Sequence, residues 1–201
     1  MTNIAHPGAN ITGFTDYEVT FGGRWLDLLK KMVPAITRVA VMFNPDTDPQ
    51  VKFWMSSIES AGATLGVRVA AAPLHDAVEI EPAVAQFAQQ PNGGLLLPGG
   101  AFIVAHRRIF ADAAARYRVP AIYANLGSVV EGGLMEYTSE VTDEYRQAGV
   151  YVDRILKGTK AGDLPVQAPT KFRLNINLKA ARELGIEIPL SILLSADEQI
   201  E

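Results

Sequence analysis

The chain contains no cysteine. Disulfides and thiolate metal sites are therefore excluded, and the fold is indifferent to the redox state of its compartment. It also lacks runs of lysine or arginine, and its formal net charge is -4. Without a basic stripe there is no electrostatic footprint for nucleic acid, so DNA and RNA are excluded as partners. No stretch reaches the roughly 18 apolar residues of a membrane span, and no basic segment with a following apolar run opens the chain as a signal peptide would. As written, the chain carries no export address and would stay in the cytoplasm. Imidazoles are scarce as well: His6 lies in the first loop, His75 at a strand end and His106 on a helix beside Arg107 and Arg108. None has the company that nucleophilic catalysis needs, and no HExxH or other metal-ligand spacing is present. On the residues alone no catalytic residue, metal site or cofactor motif stands out.

What is present is ample apolar content, 48% of 201 residues, enough to bury the core of one ordinary domain or two small lobes. GGRWLDLLKKMVP places Trp25, Leu28, Leu29 and Met32 on one face of a helix closed by Pro34. TRVAVMFN is too apolar to have one face in water and reads as a strand covered on both sides. PDTDP opens a helix running to about Leu65, with Phe53, Trp54, Ile58 and Ala61 buried and Gly66 as its stop. The unit recurs: VRVAAAPL is a strand and a helix begins after Asp76. GGLLLPGG is a strand, AFIVAHRRIFADAAARYR a helix with Ile103, Ile109, Phe110 and Ala113 inward, and PAIYA a strand. Strands separated by such helices imply βαβ units and a three-layer α/β lobe with a parallel sheet. After Asn125 the rhythm changes. GGLMEYT reads as a strand, and residues 143–157 form a helix striped by Ala148, Tyr151, Val152, Ile155 and Leu156. DLPVQAPTKFRLNIN leads into another strand, and the tail reads as two helical pieces interrupted by Gly185 and Pro189.

Candidate site residues follow from position. Asp46 and Asp48 follow a strand at its carboxyl end, where open α/β sheets bind ligands; they suit a cation or a sugar hydroxyl, or else cap the next helix. Gly99-Gly100 is either a tight turn or a place where helix amides are bare for a ligand carboxylate. It is not a phosphate loop, because no lysine-serine pair follows it. Phe102, Tyr123 and Tyr137 sit near strand ends, and Phe14 and Tyr17 flank the opening loop, so they line a crevice or pack the core. Glu131, Glu136, Glu140, Asp143 and Glu144 are scattered, and no acid-base pair stands out among them. An enzyme on a doubly wound sheet and an intracellular small-molecule sensor or interaction module stay open as other classes.

Taken together, PGANITGF, WLDLLKKMVPAITRVAVMFNPDTDP, PNGGLLLPGGAF, VPAIYA, GGLMEY and YVDRILKGTKAGDLPVQAPTKFRLNINLKAARELGIEIP with the ADEQIE tail resemble the ABC-transporter substrate-binding proteins of the tryptophan/tyrosine type, nearly end to end. The resemblance implies the type I periplasmic binding fold: two α/β lobes, a small organic solute in the cleft, amino-acid-like solutes among the candidates, and hinge closure that presents the loaded form to an ABC permease. It implies an extracytoplasmic protein that is not an enzyme and uses no cofactor. Residues 1–36 would be a crossing segment and linking helix from a first lobe, 37–137 the second lobe, 138–164 a helix packing on the first lobe, and 165–201 a return strand with terminal helices. The first lobe would lie upstream, making this a carboxyl-terminal portion, and the stripe at Tyr151, Ile155 and Leu156 would be exposed or covered in a dimer. The cleft positions implied are Asn44 to Asp46, Gly99, Gly100, Phe102, Tyr123 and Tyr137, with Phe14 near a crossing. Aromatic-amino-acid-binding members carry an acidic residue in the turn that here reads LPGGAF, and an uncompensated buried ammonium is costly. The resemblance thus extends to a small organic solute, not to tryptophan or tyrosine in particular.

Overall fold

The structure, a computed structural model, describes residues 5–15 and 18–201; Tyr17 lies outside the described residues. The chain divides into two compact units, residues 1–18 with 139–172, and residues 19–138 with 173–201, and it passes between them at 18/19, 138/139 and 172/173.

The larger unit carries α1 (Phe21–Met32), β1 (Arg38–Phe43), α2 (Val51–Leu65), β2 (Arg68–Pro73), α3 (Ile80–Ala88), β3 (Gly93–Leu97), α4 (Ala101–Arg116), β4 (Ala121–Tyr123) and β5 (Met135–Ser139), the last ending at the boundary. The sheet continues the order β2-β1-β3-β4-β5 with β6 (Phe172–Asn177) and β7 (Glu198–Ile200). The first five strands are parallel, as the βαβ rhythm predicts for β1 to β4. The bonds Asn177 N to Leu134 O and Glu140 N to Lys171 O make β6 antiparallel to β5, and β7 is parallel to β6.

Alternation divides the strand side chains between two layers. Ala40, Met42, Leu95, Leu97, Ala121 and Tyr123 pack with Ile80, Val84, Ile103 and Phe110 of α3 and α4. On the other face, α1 and α2 cross closely enough that a Cβ on Gly22 would lie 2.6 Å from Ile58 Cγ1 and 2.7 Å from Trp54 O, so this contact admits no side chain. Gly66 closes α2 in the left-handed region (φ 65), as its position predicts.

Two buried stripes differ from expectation. In α2 the buried residues are Val51, Trp54, Ile58 and Gly62, while Phe53 is 54% exposed, because the close contact with α1 falls on Trp54, Ser57 and Ile58. In α4 the backbone leaves helical geometry at His106 (φ -118, ψ 15), and Ile109 is 40% exposed although Phe110 is buried. The tail forms α6 (Leu178–Leu184) and α7 (Leu190–Ser195), broken at Gly185 and Pro189 as expected, but β7 was not foreseen. Its three residues lack alternation and are fixed from outside the strand, where Asp197 exchanges two 2.8 Å bonds with the Leu174 backbone.

The smaller unit is built on α5 (Val141–Leu156). Asp143 accepts from Lys171 Nζ (2.6 Å), Gln147 Nε2 (2.7 Å) and Arg146 NH1 (3.3 Å). These bonds, the one from Lys171 foremost, hold its carboxyl below the usual range. The opening segment docks within this unit. Thr12 Oγ1 donates to Leu164 O (2.8 Å), Thr15 N to Gln167 O (2.9 Å), and the Phe14 ring lies 4.9 Å from that of Tyr151. Tyr151 is consequently 7% exposed, its hydroxyl on Pro165 O, whereas Ile155 and Leu156 of the same stripe are 38% and 82% exposed.

Candidate functional site

The turns that leave the carboxyl ends of β1, β2, β3 and β4 meet at one edge of the larger unit's sheet, the edge where open parallel sheets receive ligands. Asn44 organises the first turn. Its Oδ1 accepts from Asp46 N (2.8 Å) and Thr47 N (3.1 Å), and its Nδ2 donates to His75 O (3.0 Å), tying the β1 turn to the β2 turn. This side-chain mimicry of a backbone turn is what asparagine favours. Asp46 is thereby set at the rim, 2.7 Å from His75 Nδ1, with both side chains in solvent.

The hydrogen bond that His75 donates to the Asp46 carboxylate, and then the carboxylate's charge, raise the His75 pKa above the ordinary histidine value. Because the folded pKa is the higher one, the stabilisation from this pair is complete below about pH 6.5 and is lost as pH rises through the folded value. An Asp46→Asn variant followed by NMR titration is expected to bring the His75 midpoint back down; an unchanged midpoint would exclude the pairing.

Asp48 behaves quite differently from Asp46. It is 1% exposed and its Oδ1 accepts from Ala101 N at 2.7 Å, across to the first turn of α4. A Cβ on Gly100 would overlap the Asp48 carboxyl carbon and Oδ1. Gly100 is therefore required by the approach of a neighbouring carboxylate, and the amide that the sequence leaves open to a ligand is already occupied. Asp48 Oδ2 is buried without a hydrogen-bond partner. Gly99 is held close as well, since a Cβ there would lie 3.0 Å from Ala124 O.

Of the residues singled out from sequence, Asn44, Asp46, Gly99 and Gly100 share this edge, and Phe102 lies buried just inside it, 4.7 Å from the His106 ring and 6.2 Å from that of Phe110. Tyr123 belongs to the core on the α4 side; burial raises its phenol pKa and its hydroxyl has no partner. Tyr137 faces α1, edge-on to Phe21 at 6.0 Å, with its carbonyl accepting from Trp25 Nε1 (3.0 Å). Phe14 is part of the smaller unit. Sequence reasoning missed the role of His75 and a buried network behind the edge. There Glu136 accepts from Val129 N (3.1 Å) and Asn175 Nδ2 (2.9 Å), and Asn125 Nδ2 donates to Ser128 Oγ (2.9 Å). An acid inside the apolar GGLMEYT was the available signal for that network.

An open parallel α/β unit whose strand ends carry a ring of polar turns is the architecture of a small-molecule binder. The chain belongs to the ABC transporter substrate-binding protein family, whose profile matches residues 1–200. Its fold is similar to that of a conserved domain protein from Vibrio cholerae, at TM-score 0.86 and 24% identity, covering 98% of this chain and 65% of that one. It is similar, too, to an ABC domain in complex with L-Trp from Streptococcus pneumonia, at TM-score 0.82 and 24% identity, covering 99% of this chain and 68% of that one. A third similar structure is the ligand-free, open form of a substrate-binding protein with adhesive properties from Clostridium difficile, at TM-score 0.76 and 20% identity, covering 100% of this chain and 66% of that one. The chain thus spans about two thirds of the length of the structures it resembles. A comparison with curated proteins found no match. Among the described residues, no helix is long and apolar enough to cross a membrane.

Proposed function

We propose that this chain is the solute-binding component of an ABC importer and takes a small organic solute at the carboxyl edge of the larger unit's sheet. The observation that carries this is the convergence of the turns after β1, β2 and β3 on Asn44, Asp46, Asp48 and Gly99-Gly100. Phe102 backs the edge from inside. Binding of the solute would present the loaded form to a permease outside the cytoplasm. The role asks for binding and release only, so no group here is assigned a catalytic task.

Amino acids and sugars are the first solutes to try, since similar folds carry L-Trp and tagatose. A solute at about 100 times its Kd adds about 2.7 kcal/mol to stability, a rise of about 5–10 °C in Tm for a domain of this size. Thermal-shift measurement over an amino-acid and sugar panel is the test, and a flat response to the whole panel contradicts the reading. Co-purification with a permease separates import from intracellular sensing.

The apolar face of α5 extends the same reading. Val152 and Leu156 are exposed, and a second copy covering them is the dimer that the sequence suggests. Sedimentation is expected to show self-association at high micromolar concentration that Val152→Glu with Leu156→Glu abolishes; a monomeric parent chain contradicts it.

A further inference from the structure

Asp48 is a carboxylate taken almost wholly out of water, yet only half of it is accounted for. Its Oδ1 caps α4 through Ala101 N, where the partial positive charge of a helix amino end favours it. Its Oδ2 has no partner. An ionised carboxylate offers about four acceptor positions, and leaving a buried one unmade is costly. Capping alone does not call for that expense, because a serine or threonine from the same loop would satisfy one amide without burying a charge. The fold has nonetheless made room for the carboxylate by keeping residue 100 free of a side chain.

A second acceptor is in the same condition. Asn125 follows β4 at the same edge, immediately after the Ala124 carbonyl that lies against Gly99, and its Oδ1 is buried and unpartnered. Its amide is turned the other way, onto Ser128 Oγ. The carboxylate beside Gly100 and the amide that follows Ala124 thus each keep an unsatisfied oxygen. Such a pair attracts hydrogen-bond donors and repels anions.

We propose that the solute meets this edge through a donor, a primary ammonium or a sugar-type hydroxyl, received by Asp48 Oδ2 with Asn125 Oδ1 as the second acceptor, and that solutes presenting a carboxylate or phosphate there are rejected. This rests on the solute-binding reading above. It makes Asp48 the residue that sets solute charge.

Calorimetric titration with matched probes tests it: tryptamine against indole-3-propionate, 1,5-diaminopentane against glutarate, and D-tagatose against D-tagatose 1-phosphate. At least one donor probe is expected to bind about tenfold or more tightly than its anionic twin, a difference of about 1.4 kcal/mol. The amine and sugar arms tell which kind of donor the edge takes. Asp48→Asn keeps an oxygen for Ala101 N and exchanges the free acceptor for an amide donor, so it is expected to weaken that probe about tenfold while circular dichroism stays native. Equal or tighter binding of the anionic twin overturns the inference and leaves solute binding standing, as does unchanged affinity in Asp48→Asn. Failure of every probe overturns solute binding and the inference with it. The comparison within pairs needs no variant, and decides by itself should Asp48→Asn not fold.

Discussion

Glu136→Ala is expected to destabilise the chain by about 3 kcal/mol, lowering Tm by about 6–12 °C. Glu136 is buried on β5 and its two oxygens hold Val129 N and Asn175 Nδ2. Asn177 Nδ2 holds the Val129 carbonyl at 2.9 Å, and Ser128 O accepts from Gly133 N at 2.8 Å. The β4–β5 loop is thus clipped to β5 and β6 through this one carboxylate and its asparagine neighbours. Removing it strands two buried donors, each bond to the charge being worth about 1.5–3 kcal/mol, while relief from burying the charge returns part of that. Glu136→Gln, which keeps the shape but only one acceptor oxygen, should lose less. Hydrogen exchange at the Val129 amide should quicken in both. A Tm for Glu136→Ala within about 2 °C of the parent would contradict the account, since that is the size of a neutral surface change.

Gly100→Val is the second large effect expected, at about 2–4 kcal/mol, from overpacking of about 1–3 and a lost helix cap of about 1. The backbone at Gly100 is extended (φ 178), so a valine there suffers no conformational penalty. The cost comes from its Cβ entering the space of the Asp48 carboxyl. That distinction gives a sharp check. In a double-mutant cycle, Asp48→Ala should recover much of what Gly100→Val loses, because the clash has no partner left. Additive losses would mean that the two residues do not compete for the same space. Gly99→Ala, with its Cβ 3.0 Å from Ala124 O, is a milder case and should leave the cap in place.

The elements from β1 to β4 were legible in the sequence because their signals are local. Apolar runs marked the strands, helical spacing marked α1, and Gly66 and Gly185 stopped helices where expected. Local signals also carried the choice of edge, since Asn44, Asp46, Gly99 and Gly100 all follow strands. They did not say which way a strand residue points. Tyr123 stands at a strand end but shares the face of Leu97, which leads into the core. Contacts between distant residues left no periodic trace. Asp48 and Ala101 meet across 53 positions and Glu136 and Asn175 across 39, so the buried carboxylate that fills the place of a missing side chain at Gly100 was invisible. The same holds for the opening segment, whose partners near Gln167 lie at the far end of the chain, and for β7, placed by Asp197 rather than by its own residues.

Solute is expected to bind at the carboxyl edge of the larger unit's sheet. The sheet's opposite, amino-terminal edge offers a rival hollow of about 320 Å³ lined by Arg38, Asn92, Arg118 and Gly185. Backbone amide NMR of the chain titrated with the donor probe that binds best tests the claim most directly. Perturbations are expected at Asn44 to Asp48, Gly99 to Phe102 and Asn125. Perturbations confined to the residues around Arg38, Asn92 and Gly185 would contradict it.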